Sequence, residues 1–454
     1  MAPQPAKFSG SFFTAEPIAL NRQVRLFVEA AKAAATVSDQ APIAIVSPHA
    51  GYRYSGAIAG QAFAAARDHR YRRIVILSPS HRYAFDGLAM PSWTQMQLPN
   101  GVVTVDKLLR NDLRDRRLIR VEDAAHEHEH GIETQLPFVA RYFRGARIVP
   151  IVCGNAPVAE VARLIDDLAA PDTLFVVSSD LSHFQTQSQA QMADAQSARM
   201  IETGDLSGLG GDNACGWRVL AGFLASQTGA FARMVRLAMG DSAKASGDAD
   251  RVVGYGAWAC YRSNVAAFGD TYRRELLGVA RKVVRSRLQK GRMPIVRVPS
   301  FRTPLQTHIA SFVTLTRDGQ LRGCIGSLTA QRPLITDIAE NAVKAAVADT
   351  RFRALADPAQ LDDIRFKIAL LSKPKPLSVT GRADFESRLV PKTMGVILQD
   401  GDHRGTFLPM VWDSLRDPAA FAAGLMMKAG LPKDHWSDNV RIWTFEAENF
   451  EEAQ

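Results

Sequence analysis

Three short apolar runs in roughly the first 180 residues are each followed by Ser and then by a polar cluster containing His. Ile43 to Val46 leads into Ser47-Pro48-His49, Ile74 to Leu77 into Ser78-Pro79-Ser80-His81, and Leu174 to Val177 into Ser178-Ser179-Asp180-Leu181-Ser182-His183. Uninterrupted apolar runs of this length predict strands buried on both faces, the signature of a parallel sheet. Ile148 to Val152 predicts a further member of the same sheet. Between the runs, Arg22 to Val37, Ala57 to Arg67 and Val158 to Leu168 are Ala-rich and helical in character. Alternation of strand and helix predicts an α/β unit, and loops leaving the carboxyl ends of its strands should build the site. The histidines of all three clusters fall in those loops.

Val252 to Tyr261 reads as the closing strand of this first unit and Arg262 to Asp270 as a linker, dividing the chain into 1–264 and 265–454. Beyond the boundary the pattern changes. From Asp270 to Arg297 there are nine Lys or Arg against two acids, with Leu276, Leu277, Val279, Ala280, Val283, Val284 and Leu288 on one stripe. That spacing predicts an amphipathic helix with a basic outer face, either solvated or able to bind an anion. Phe312 to Thr316 and Leu321 to Gly326 flank Asp318-Gly319, which predicts a β-hairpin. Ile364 to Ile368 alternates as a half-buried strand, and Gly395 to Leu398 pairs with Thr406 to Pro409 across a second Asp-Gly turn. Helices are expected over Leu334 to Ala348 and Ala419 to Ala429, the latter stopped by Gly430 and Pro432. The second unit therefore reads as α+β.

A length of 454 residues suits two or three domains, each able to bury its own core. The 55 Lys and Arg exceed the 46 Asp and Glu, a net charge of +9 that suggests an acidic partner or substrate. The four cysteines, Cys153, Cys215, Cys260 and Cys324, lie far apart, so there is no CxxC pair and no disulfide framework is expected. No apolar leader and no membrane-length apolar run is seen, and a cytoplasmic location without membrane association is the expectation. The chain has neither a GxxxxGK[ST] loop nor a GxSxG elbow, which points away from nucleotide cofactors and from an α/β-hydrolase triad.

Seven of the ten histidines lie in the first 183 residues. Imidazole is the commonest metal ligand and the side chain that most readily exchanges protons near neutral pH, so their grouping at strand ends predicts a metal or acid/base site. In the run His126-Glu127-His128-Glu129-His130, His130 and the following Glu133 are the members expected to face inward, ahead of Leu136-Pro137-Phe138. Cys215 opens a helical stretch, where a thiolate suits metal ligation or nucleophilic chemistry. Cys153 and Cys260 end apolar strands and read as core. Two imidazoles and a thiolate would make a three-ligand open site for Fe(II), Zn(II) or copper, with Asp180 and His183 as acid/base groups. Cys324, between Gly323 and Gly326, reads either as a hairpin core thiol or as a reactive one, with Arg322, Arg351 and Arg353 as a candidate anion patch.

The motifs Ser47 to Tyr52, Ser78 to His81, His130 to Phe138, Ser178 to His183 and Ala214-Cys215-Gly216, with Gly10-Ser11-Phe12-Phe13 near the start, resemble the Memo family over residues 6 to 262. Leu321 to Gly326, Asp349 to Phe352, Leu371 to Pro374 and Thr406 to Trp412 resemble the AMMECR family. The chain looks like a fusion of the two, a pair grouped with a radical-SAM protein in the AmmeMemoRadiSam system. The resemblance implies an α/β domain similar to class III extradiol dioxygenases joined to an α+β AMMECR-like domain. It also implies an iron site whose ligands map to His49, His81 and Cys215, with His183 as base and Asp180 beside it. The sequence departs from the pattern at Trp217-Arg218, where Memo proteins often carry Arg-His, and at Lys392 to Gly395. The function expected is a non-heme iron redox enzyme acting with the radical-SAM partner, its second domain recognising an anionic substrate such as RNA. The alternatives are a non-catalytic module that binds phosphopeptide or protein, and a zinc-dependent hydrolase.

Overall fold

The computed structural model describes residues 3–31, 40–263 and 268–453. Two compact units are seen, Met1–Ser263 with Phe268–Thr271, and a second that takes in Tyr272–Gln454. Part of the predicted linker, residues 264–267, lies outside the described residues, as does the end of the predicted Arg22 to Val37 helix. The described part of that helix is Pro17–Glu29, with Leu20, Val24 and Val28 buried at helical spacing.

The first unit is built on a mixed sheet of twelve strands among the described residues. At its centre Gly101–Val105, Arg147–Cys153, Arg73–Pro79, Thr173–Ser178 and Ala44–Ser47 lie side by side, all parallel. The last four are almost wholly buried, which is why they read as continuous apolar runs. Val252–Arg262 then adds antiparallel to Ala44–Ser47, and Ala232–Asp241 pairs antiparallel with Val252–Arg262. Ala232–Asp241 escapes the apolar pattern because it is half-buried and carries Arg233 and Arg236 outward. The register places Ser47 beside Ser178 and Pro79 beside Cys153, so the carboxyl ends of four parallel strands finish at one edge. Every loop with the Ser-to-His pattern leaves from there.

The second unit holds two four-stranded antiparallel sheets. The predicted hairpin is Ala310–Arg317 and Gln320–Gly326, and Asp318 and Gly319 turn the chain with φ of 51° and 75°. Positive φ at both central residues is what a two-residue hairpin loop requires. Leu334–Val347 packs on this hairpin. In the second sheet Gly395–Asp400 pairs with His403–Phe407, beside a core in which Trp412 stacks on Phe421 with ring centroids 3.9 Å apart. The basic helix spans Asp270–Lys290 and buries Leu276, Leu277, Ala280, Val283 and Val284. Part of its basic face is ion-paired to acids of the same unit: Arg273 to Glu448, Arg281 to Glu452 and Arg285 to Asp362. Among the described residues no helix is long and apolar enough to cross a membrane.

Candidate metal centre

His49 follows the Ala44–Ser47 strand and is buried. Its backbone N–H donates to Asp180 Oδ1 at 2.8 Å, which ties the first strand-end loop to the one that follows Thr173–Ser178. Its ring Nδ1 lies 2.8 Å from Ser178 Oγ. The Ser178 hydroxyl donates its one proton to the Gly131 carbonyl at 2.7 Å and accepts from Gln135 Nε2 at 3.1 Å. With that proton committed, Ser178 can only accept from His49, so the imidazole is the Nδ1–H tautomer and Nε2 keeps its lone pair.

His81, after Arg73–Pro79, is set in the same way by a different group. Its Nδ1 lies 2.9 and 3.1 Å from the two oxygens of Glu129, and its backbone N–H donates to Glu129 Oε2 at 2.8 Å. Gly131 N–H donates to Glu129 Oε1 at 2.8 Å. Burial pushes the Glu129 carboxyl up, but these hydrogen bonds outweigh it and hold the group at about 2. A carboxylate only accepts, so His81 carries a proton on Nδ1. Pairing of a carboxylate with the far nitrogen of an imidazole is the arrangement that orients metal-ligating histidines.

His130 completes the group. Its ring stacks on His81 with centroids 4.6 Å apart and meets His49 edge-on at 5.2 Å, while Phe12 covers it at 4.6 Å. One ring nitrogen from each of His49, His81 and His130 lies within 4.8 Å of the others, a spacing that one metal ion can span. Burial, reinforced by the neighbouring His81, depresses His49 to about 3, and burial together with His49 depresses His130 to about 4. Both are therefore neutral at pH 7, the state in which imidazole binds a metal.

Cys215 stands just before the Trp217–Ala225 helix, its Sγ 3.2 Å from His49 Nε2 and accepting Asp180 N–H at 3.3 Å. Since Nε2 holds a lone pair, the thiol donates to it. Burial, and then the Asp180 carboxyl, raise this thiol well above its ordinary range. Asp180 is buried, and burial raises its carboxyl against the opposing effect of the His49 N–H. His183 opens the short His183–Gln185 strand, half-buried and close enough for its charge to act on His49 and Asp180. Glu133 points elsewhere. It accepts the backbone N–H groups of Lys7 and Phe8 at 3.0 and 2.6 Å, tying down the segment whose Phe8 and Phe12 rings pack on His130.

Glu129 is the residue the sequence pattern did not single out. The His126 to His130 run resolves into exposed Glu127 and His128 and inward-facing Glu129 and His130, with His126 bonded to the Ala89 carbonyl at 3.2 Å. Cys153 is buried but borders a cleft that Cys215 also lines. Cys324 belongs to the other unit. Its N–H donates to Asp349 Oδ2 at 2.8 Å, Thr314 donates to its sulfur at 3.2 Å, and burial pushes the thiol up. Of the expected anion patch, Arg351 is bonded to both Asp349 oxygens at 2.9 and 2.7 Å, and Arg322 donates to the Arg353 carbonyl.

A family model for Memo-like proteins covers residues 4–259, more than half the chain, and one for AMMECR1 covers residues 277–450. The chain belongs to the Memo-like family and carries an AMMECR1 domain after the Memo-like one. A MEMO1 family protein of Methanosarcina barkeri is 29% identical over 268 residues, 56% of this chain and 98% of that protein. A protein of Methanopyrus kandleri is 33% identical over 187 residues, 39% of this chain and 87% of its own length. The crystal structure of an uncharacterized protein from Pyrococcus horikoshii aligns at 29% identity over 39% of this chain and 90% of that one, with a TM-score of 0.37.

Two outcomes are expected. Folding keeps His49, His126 and His130 deprotonated, with values of about 3, 4 and 4 against 6.5, whereas the unfolded chain protonates them. Their contribution to stability is full above about pH 6.5 and declines as the pH falls toward the folded values, so the thermal midpoint of metal-free protein should drop between pH 6.5 and pH 4. A pH series by differential scanning fluorimetry reads this, and a flat profile would contradict it. Gly131 has no room for a side chain: a Cβ there would collide with the Ser78 hydroxyl and come within 3.0 Å of Glu129 Oε1 and 3.1 Å of His49 Nδ1. Gly131→Ala should therefore weaken metal binding by roughly 10–100-fold, the usual cost of disturbing groups that orient ligands, as read by metal titration.

Proposed function

We propose that the Memo-like domain is a non-heme iron redox enzyme. The observation that carries this reading is the grouping of one ring nitrogen each from His49, His81 and His130 within 4.8 Å, with His49 Nδ1 held by Ser178 and His81 Nδ1 by Glu129. An all-imidazole set, or two imidazoles with a thiolate, suits Fe(II), zinc and copper alike. The similarity to class III extradiol dioxygenases that the Memo resemblance implies favours Fe(II), and His49 and His81 belong to either ligand set. His130 supplies the third position as a neutral ligand. Cys215 supplies it only after losing the proton it gives His49. When bound, Fe(II) supplies Lewis acidity and redox chemistry with oxygen as co-substrate.

The protein's own groups do the rest. Asp180, with its carboxyl raised by burial, and His183 form the proton-handling pair, one at each end of the Asp180-Leu181-Ser182-His183 loop. Phe8 and Phe12 keep water from the outer face of His130. In the same reading the AMMECR1 domain recognises an anionic substrate, for which RNA is a candidate, and a radical-SAM protein acts on the same pathway. Lys282, Arg287 and Lys290, which have no ion-pair partner among the described residues, are the cations available on its basic helix. The all-imidazole set also suits zinc-bound water and hydrolysis, the second reading.

Metal analysis of the full chain after anaerobic Fe(II) loading, followed by oxygen-uptake assays, tests the proposal. About one iron per chain is expected, lost in His49→Ala and His81→Ala. Comparing His130→Ala with Cys215→Ala identifies the third ligand. Zinc retention without oxygen use would favour hydrolysis. A chain that takes up none of the three metals would leave a binding module.

A further inference from the structure

A cleft of about 310 Å³ opens beside the centre, and Cys215 forms part of its wall. Its other walls come from the loop after Arg73–Pro79, the end of Arg147–Cys153 and the start of Trp217–Ala225. The walls are preformed. Ser80 N–H donates to the Cys153 carbonyl at 3.0 Å, Gly154 N–H to Gly87 at 3.0 Å and Asn155 N–H to Phe85 at 2.7 Å, stitching the 80–87 loop to the strand end. Tyr83, Phe85 and Trp217 give the cleft three aromatic rings.

Among its lining residues Arg218 is the one charged side chain. The guanidinium lies over the Trp217 ring, 4.4 Å from the centroid, and donates from Nη2 to Asn155 Oδ1 at 2.8 Å. Asn155 in turn donates to Asp86 Oδ1 at 3.2 Å, which fixes the amide so that its oxygen faces Arg218. No carboxylate pairs with Arg218 among the described residues, and only one of its five N–H groups is engaged. An arginine held in one orientation by a ring and an amide, with donors to spare, is set up to grip a carboxylate. Three rings around a volume of this size fit one or two fused aromatic rings.

We infer that this cleft binds a planar aromatic carboxylate, with the ring system among Tyr83, Phe85 and Trp217 and the carboxylate on Arg218. The inference rests on the metal-centre reading only for what the ligand is brought to: Cys215, which it would lie beside, is 3.2 Å from His49 Nε2.

Titration calorimetry of the full chain, metal-free and Fe(II)-loaded, with naphthalene-2-carboxylate, its neutral carboxamide and acetate tests this. The naphthoate should bind both forms, the carboxamide roughly tenfold more weakly or worse, and acetate not measurably, because ring and charge are both needed. Arg218→Gln should bring naphthoate down to the carboxamide's affinity while metal content stays at the wild-type level. Equal binding of acid and amide by wild-type protein, or no loss in Arg218→Gln, overturns the inference. So does the absence of naphthoate binding by a chain that holds its metal. Naphthoate binding that depends on Arg218 in a chain that takes up no metal overturns the metal-centre reading and leaves the cleft's assignment standing.

Discussion

The candidate centre depends on one buried carboxylate. Glu129 accepts the His81 ring proton, the His81 backbone N–H and the Gly131 N–H, and so joins the loop after one strand to the short His130–Glu133 helix. Without those donors the buried carboxyl would be forced toward its neutral form, and with them it stays ionised and sets the direction of an imidazole. Ser178 does the equivalent work for His49 with a single hydroxyl proton, and it too reaches Gly131, through that residue's carbonyl. Gly131 thus serves both orienting groups, one through its N–H and one through its C=O.

This arrangement has a cost in stability. Three imidazoles held close together inside a protein repel one another's protons, and two of them are kept neutral well below their ordinary range. Gln135 gives both amide hydrogens to Pro48 and Ser178, and its buried Oε1 has no hydrogen-bond partner among the described residues. Local compromises of this kind collect at functional sites, where binding a ligand offsets them. The parallel strands beneath, buried on both faces, supply the stable base that tolerates them.

The AMMECR1 domain presents its polar groups differently. Asp349, Arg351 and the Cys324 backbone satisfy one another, and Arg273 and Arg281 are bound to acids of the same unit. Charges that looked free along the chain are in good part spent on holding this domain together. The cations left over on the basic helix, and Arg218 in the cleft beside Cys215, have no carboxylate partner among the described residues.

The chain by itself determined the strands and the edge at which chemistry would gather. An apolar run followed by Ser and His marks a buried strand and its carboxyl end whatever the neighbours are, because burial on both faces demands continuous hydrophobicity. His49, His81, Asp180 and His183 were legible as strand-end residues for that reason, and Cys215 from its place at the start of a helical stretch. Only the tertiary structure decided that Nδ1 of His49 and of His81 carries a proton, that Glu129 rather than Glu133 faces the histidines, and that His130, expected to face inward, brings a ring nitrogen within 4.8 Å of theirs. Those choices turn on where a carboxylate finds its hydrogen-bond donors, Lys7 and Phe8 for one and His81 and Gly131 for the other, and such partners lie from two to well over a hundred residues away. No local pattern in an alternating His and Glu run encodes that difference.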